Sequence, residues 1–165
     1  MLPSLQAIDE NYTGVHYAYG HPADIVEELI QKSKTEKHRY SKYPFIGLFL
    51  DIPESKGRNI EFATSARLNM FICCGTTKTF KPYQRTQLTF VPILIPIYEE
   101  FINQLLKHKA VVKPENMLIP HQYAMRYQWG KGGLEYYNNG QKNIFNDAID
   151  AIELIGLELD FKQNC

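Results

Sequence analysis

An α+β domain is what the sequence predicts: a mostly antiparallel sheet containing a long hairpin, with two main helices packed on one face. Three observations carry this. Residues 60–74 alternate apolar and polar side chains, the period of a strand with one buried face. Residues 43–52, YPFIGLFLDI, form a short apolar run between Pro44 and Pro53, rich in aromatics that suit a buried strand. Residues 80–109 hold the longest helical periodicity in the chain, with Phe90, Ile93, Leu94, Ile97, Phe101 and Leu105 three and four apart on one stripe.

In chain order, residues 1–20 show no period and read as an N-terminal arm, with Tyr12, Tyr17 and Tyr19 as exposed aromatic contacts; residues 21–165 form a single domain. The first helix is expected at His21-Pro22, because proline suits the first helical position, where its missing donor costs nothing. Asp24, Glu27 and Glu28 then complement the positive end of the helix, and Lys32 and Lys34 the negative end. The apolar run pairs with 60–74 as a hairpin, 45–51 against 60–74, joined by the polar turn PESKGRN at 53–59. Lys56 and Arg58 project at its tip. In 60–74, Phe62, Thr64, Ala66, Leu68, Met70 and Ile72 share one face and Glu61, Ser65, Arg67 and Asn69 the other, until Phe71 and Cys73 make the far end apolar on both.

The central helix contains Pro92 and Pro96. Each removes a backbone donor and crowds the carbonyl four residues back, so the helix must kink there or begin near Pro92. Ile97, Phe101 and Leu105 are expected to be buried. Residues 117–129 alternate again, placing Tyr123, Met125, Tyr127 and Trp129 together on one strand face. Residues 130–143 read as a long polar, glycine-rich loop with Lys131 exposed. The last stretch, residues 144–161, reads as a helical turn or two followed by a strand.

At 165 residues the chain suits one core, able to bury about two thirds of its unfolded surface. Lysine plus arginine equals aspartate plus glutamate at 18 each, so net charge gives no argument for polyanion binding. The distribution is uneven. Residues 32–42 carry five basic side chains and one glutamate, and residues 144–165 carry five carboxylates and one lysine. Two readings fit: complementary patches joining copies head to tail, or two solvated surfaces. Three scattered cysteines fit a reducing compartment. The N-terminus lacks signal-peptide character, and no apolar run approaches the roughly 18 residues of a membrane span. A soluble protein made in the cytoplasm is expected.

Chemistry is sparse. The five histidines are isolated, without zinc-ligand spacing, and read as solvated or capping groups. Gly130-Lys131-Gly132-Gly133 lacks the spacing and hydroxyl of a phosphate loop. Asp51, Glu54 and Lys56 are the residue types of a magnesium nuclease but lie within six residues at one hairpin tip, where their oxygens would not converge on one ion. Tyr123, Tyr127 and Trp129 beside Arg126 could stack single-stranded bases, although a half-buried sheet needs large side chains anyway. No catalytic residue, cofactor or metal ligand is assigned.

Residues 21–161 resemble, in element order and in the segments YPFIGLFLD, FVPILIPIYEEFINQLL and ELIGLELDF, the tail-completion or tail-terminator proteins that join head and tail in tailed bacteriophages. The resemblance implies a non-enzymatic virion protein. It would close into a ring of its own copies and meet neighbouring neck and tail proteins, with DNA passing through the lumen without sequence recognition. Interface residues on this reading are Tyr12, Tyr17, Tyr19, Lys56, Arg58, Trp129 and Lys131. The alternatives are a nucleic-acid binder or nuclease, and a small binding module with a pocket beside Trp129.

Overall fold

The computed structural model describes residues 14–34, 42–50, 52, 54–56, 64–129, 135–138, 141–144 and 147–162. The elements are β1 (His16–Gly20), α1 (Pro22–Lys34), β2 (Phe45–Phe49), β3 (Glu54–Lys56), β4 (Thr64–Gly75), α2 (Pro82–Arg85), a π-helical segment (Thr86–Leu94), α3 (Ile95–Lys107), β5 (Gln122–Trp129), β6 (Glu135–Asn138), β7 (Gln141–Ile144) and β8 (Ile149–Phe161). The class is α+β, as expected. Strand order in the main sheet is β1-β2-β4-β8-β5, with β3 beside β4, and β6 and β7 pair separately. β1 and β2 are parallel, joined through α1; the other pairs are antiparallel.

The layering differs from expectation: the two helices cover opposite faces of the sheet. Ile25, Val26 and Leu29 of α1 bury against Ala18, Phe45, Phe71, Cys73, Ile149 and Ala151. On the other face Phe90, Ile93, Leu94 and Ile97 bury against Met70, Ile72, Cys74, Ile152, Leu154 and Leu157. Consecutive residues in a strand point to opposite faces, so the run Met70 to Cys74 is buried throughout because each face has a helix over it. Full burial of each large aliphatic or phenylalanine side chain is worth roughly 1.5–3 kcal/mol. Ile97 is buried as expected, whereas Phe101 and Leu105 are half-buried at the margin of the core.

Four further expectations are corrected. The arm does not extend to residue 20: His16–Gly20 is the strand β1, in register with Phe45–Phe49. The hairpin is longer than expected at its distal end. Glu54–Lys56 pair with Thr64–Ala66, so residues 54–56 belong to a strand and not to the turn. The stretch read as a loop at 130–143 contains the β6–β7 hairpin, in which Asn138 faces Gln141. Finally, no helical turn opens the last element within 149–161. β8 is a continuous thirteen-residue strand, paired along its length with β4 and over its first half with β5.

The central helix begins at Pro82, ten residues before Pro92, and passes through that proline without ending. Thr86–Leu94 takes the wider π register, in which a backbone N–H reaches the carbonyl five residues back. Ile95 N–H donates to Phe90 O in this way, and Pro96 then falls in the first turn of α3. Opposite the irregularity between Leu68 and Met70, Gly156 adopts φ +66°, and its N–H donates to Asn69 Oδ1 at 2.9 Å. A side chain is rarely tolerated at that dihedral.

Cys73 and Cys74 are both fully buried free thiols. Burial pushes both well above the ordinary thiol range, and the neighbouring Cys74 and Asp150, respectively, add to the effect. The thiolate is the reactive species. Neither cysteine is therefore expected to react with iodoacetamide at mildly alkaline pH until the protein unfolds. Peptide mass spectrometry with and without denaturant checks this, and rapid native labelling at 73 or 74 would contradict the burial.

Candidate interface surfaces

Among the described residues, the buried polar and charged side chains are Lys42, Arg85, Thr89 and Asp150. Arg85, on α2, and Asp150, on β8, are both fully buried, with Arg85 Nη1 donating to Asp150 Oδ1 at 2.7 Å. The guanidinium also donates to Phe80 O at 3.0 Å, Thr77 O at 2.6 Å and Thr76 Oγ1 at 3.3 Å. Asp150 accepts in addition from Gln128 N–H at 2.9 Å and from the Thr89 hydroxyl at 2.9 Å. One cluster thus ties the loop before the helix, the π segment, β5 and β8 together. Buried charge is tolerated only when paired and hydrogen-bonded in this way.

Three other carboxylates of the acidic C-terminal stretch are also paired within the chain. Asp147 pairs with the buried Lys42 and accepts from Tyr43 OH at 3.0 Å. Glu153 accepts from Arg126 Nε at 2.8 Å and from Trp129 Nε1 at 2.5 Å. Glu158 pairs with Arg67. Of the two uneven stretches, Lys42 of 32–42 and the carboxylates Asp147, Asp150, Glu153 and Glu158 of 144–165 are thus paired within the chain, while residues 35–41 lie outside the described residues.

Exposed apolar groups occur at both edges of the sheet, as well as at Leu50, Tyr83, Met117 and Leu118 outside the edge strands. On β1, Ala18 faces the α1 core while Val15 packs toward the central helix, and strand alternation puts Tyr17 and Tyr19 on the central-helix side. They are 55% and 66% exposed, their rings stacked at 6.3 Å. Burial, and then Tyr19, raises the Tyr17 hydroxyl above the usual phenol range. On the opposite face, His16 is held below the usual imidazole range by burial and by Lys32.

At the other end, β5 exposes Tyr123, Met125 and Tyr127 beside the central helix. Tyr123 meets Tyr98 edge-on at 5.0 Å, and Tyr127 meets Phe90 edge-on at 5.3 Å. Tyr98 OH lies 2.9 Å from His121 Nε2, while His121 Nδ1 lies 2.7 Å from Ile119 O. The carbonyl can only accept, so Nδ1 carries a proton and donates to it. Burial raises the Tyr98 and Tyr123 hydroxyls. The outer side of the π segment adds Leu88 and Val91, about half exposed.

The single aromatic face expected on β5 is corrected. Gln128 takes φ +50° and the register shifts between Arg126 and Trp129, which turns Trp129 to the α1 face. There it stacks on Phe71 at 4.6 Å with 22° between the planes. Trp129 is thus part of the core margin, and a base-stacking row of Tyr123, Tyr127 and Trp129 does not form. Among the other proposed contacts, Tyr12, Arg58 and Lys131 lie outside the described residues, as does Asp51, and Lys56 is described only as backbone in β3. Sequence reasoning missed Leu88 and Val91, whose signal is a helix segment apolar on all sides. It also missed the Arg85–Asp150 pair, for which a lone carboxylate in an apolar strand was the available sign.

Among the described residues, no three His, Cys, Asp or Glu side chains converge on a point, and no helix is long and apolar enough to cross a membrane. Compared with family models, curated proteins and solved structures, the chain matches none.

Proposed function

We propose that this chain is a non-enzymatic assembly subunit that closes into rings of its own copies, in the manner of the phage head–tail joining proteins it resembles in element order. The observation supporting this reading is that, among the described residues, both edge strands of the main sheet, β1 and β5, lack a partner on their outer side and carry exposed aromatic side chains. Exposed edges invite pairing with another chain unless charge or proline blunts them. A subunit carrying two different adhesive surfaces forms a heterologous, ring-closing interface when the rotation closes. Virion location, neighbouring neck and tail proteins and DNA in the lumen are the setting this reading implies.

Sedimentation velocity from micromolar to near-millimolar concentration, with negative-stain imaging of the concentrated sample, tests the proposal. Concentration-dependent assembly ending in closed rings is expected. A monomer throughout that range would end the reading.

A further inference from the structure

We infer that the contact between copies is a sheet-to-sheet junction: the outer edge of β1 pairs antiparallel with the outer edge of β5 on the next copy. This rests on the ring reading and specifies its interface. The first argument is backbone chemistry. His16 N–H donates to Pro44 O at 2.9 Å and Leu50 N–H to Gly20 O at 3.2 Å, so the even-numbered residues of β1 bond inward to β2. Groups alternate along a strand, which leaves the N–H and C=O of Tyr17 and Tyr19 directed outward. Among the described residues no strand pairs with that side of β1, nor with the outer side of β5.

The second argument is direction. β1, β2 and β8 run one way, β4 and β5 the other. Rotation about an axis along the strands preserves both strand direction and sheet face. Each β5 then meets the next β1 antiparallel, the slightly more stable pairing. Every central helix falls on one side of the ring wall and every α1 on the other.

The third argument is side-chain fit, and it selects a second copy over a foreign strand. Tyr17 and Tyr19 stand on the same face as Tyr123, Met125 and Tyr127, so the junction builds one aromatic row from two half-rows. Cross-strand aromatic pairs of this kind stabilise a sheet. On the reverse face β1 carries His16, Ala18 and Gly20, and the two small residues toward its C-terminal end leave room for Arg126 of the neighbour.

Cysteine pairs test the junction in the full chain with Cys165→Ser: Tyr19→Cys combined in turn with Tyr123→Cys, Met125→Cys and Tyr127→Cys, oxidised and run on a non-reducing gel. At least one pair is expected to give a ladder of trimers and higher multimers, with single cysteines stopping at dimers. A companion variant, Tyr19→Pro, deletes an outward donor and is expected to lose assembly while keeping the parent's circular-dichroism spectrum; if it fails to fold, the cysteine pairs alone decide. Absence of any ladder from a parent that still forms rings overturns the junction and leaves the ring reading standing. A parent that remains monomeric overturns both. Multimers that form only with an added foreign β-strand peptide would replace the second copy as the occupant and overturn the junction.

Discussion

Replacing Asp150 by alanine is expected to lower folding stability by roughly 3–5 kcal/mol, the usual loss when one partner of a buried ion pair is removed. The penalty arises from what remains. Arg85 is left without its counter-charge at 1% side-chain exposure, and Gln128 N–H loses the acceptor it reaches at 2.9 Å, whereas the Thr89 hydroxyl still has Arg85 O at 2.6 Å. The desolvation cost of charges is what makes such pairs marginal as a whole. Accordingly, the double replacement Arg85→Met, Asp150→Leu is expected to recover much of the loss, since apolar substitution of both partners is often neutral. Urea denaturation of the two single variants and the double measures this as a thermodynamic cycle. Additive losses would show that the two side chains are energetically independent.

Phe71→Ala is expected to cost a similar amount, roughly 3–5 kcal/mol. Its ring is the meeting point of the α1 face, with Phe49 at 5.5 Å, Phe45 at 5.9 Å and Trp129 stacked at 4.6 Å. The ring lies over Gly47, where an added Cβ would come within 2.4 Å of it. Gly47→Val therefore approaches the same defect from the opposite direction. Overpacking there should cost roughly 1–3 kcal/mol, and in Phe71→Ala the added valine would find space. Partial rescue of Phe71→Ala by Gly47→Val in thermal melts is the check. A Phe71→Ala loss below about 1 kcal/mol would contradict the burial.

How much was legible in the sequence follows from the range of each signal. The hairpin, the start of α1 at Pro22, the central helix and β5 were readable because periodicity and proline position are local. The two-sided cover was readable too, though not used: an end of β4 apolar on both faces calls for packing on both. The β6–β7 hairpin had its own sign in Asn139-Gly140, the dipeptide that most strongly marks two-residue hairpin connections. Other features were not local. β1 is five residues long, and its partner lies beyond α1. Residues 147–151, leading into β8, carry Asp147, Asp150 and alanines at helix-like spacing, and β8 is nonetheless a strand between β4 and β5, with Asp150 satisfied by Arg85, 65 residues away. Trp129 faces away from Tyr127 because of one irregular residue at Gln128, and a one-residue slip inverts every later side chain. Of the candidate interface, Tyr17 and Tyr19 were legible as exposed aromatics. The charge complementarity was not, because pairing within the chain depends on the finished fold.

The position of β8 in the sheet has a consequence for biosynthesis. β8 lies between β4 and β5, both of which leave the ribosome before it, so a nascent chain ending short of residue 161 has two half-sheets and a missing centre. Neither helix finds its full core, because each face takes residues from β8, Ile149 and Ala151 on one side and Ile152, Leu154 and Leu157 on the other. Folding must therefore wait for that segment to emerge, then proceed through pairings distant in sequence, which are slow to form. In the interval the edges of β4 and β5 are bare and prone to association with other nascent chains. That exposure ends only when β8 seats between them.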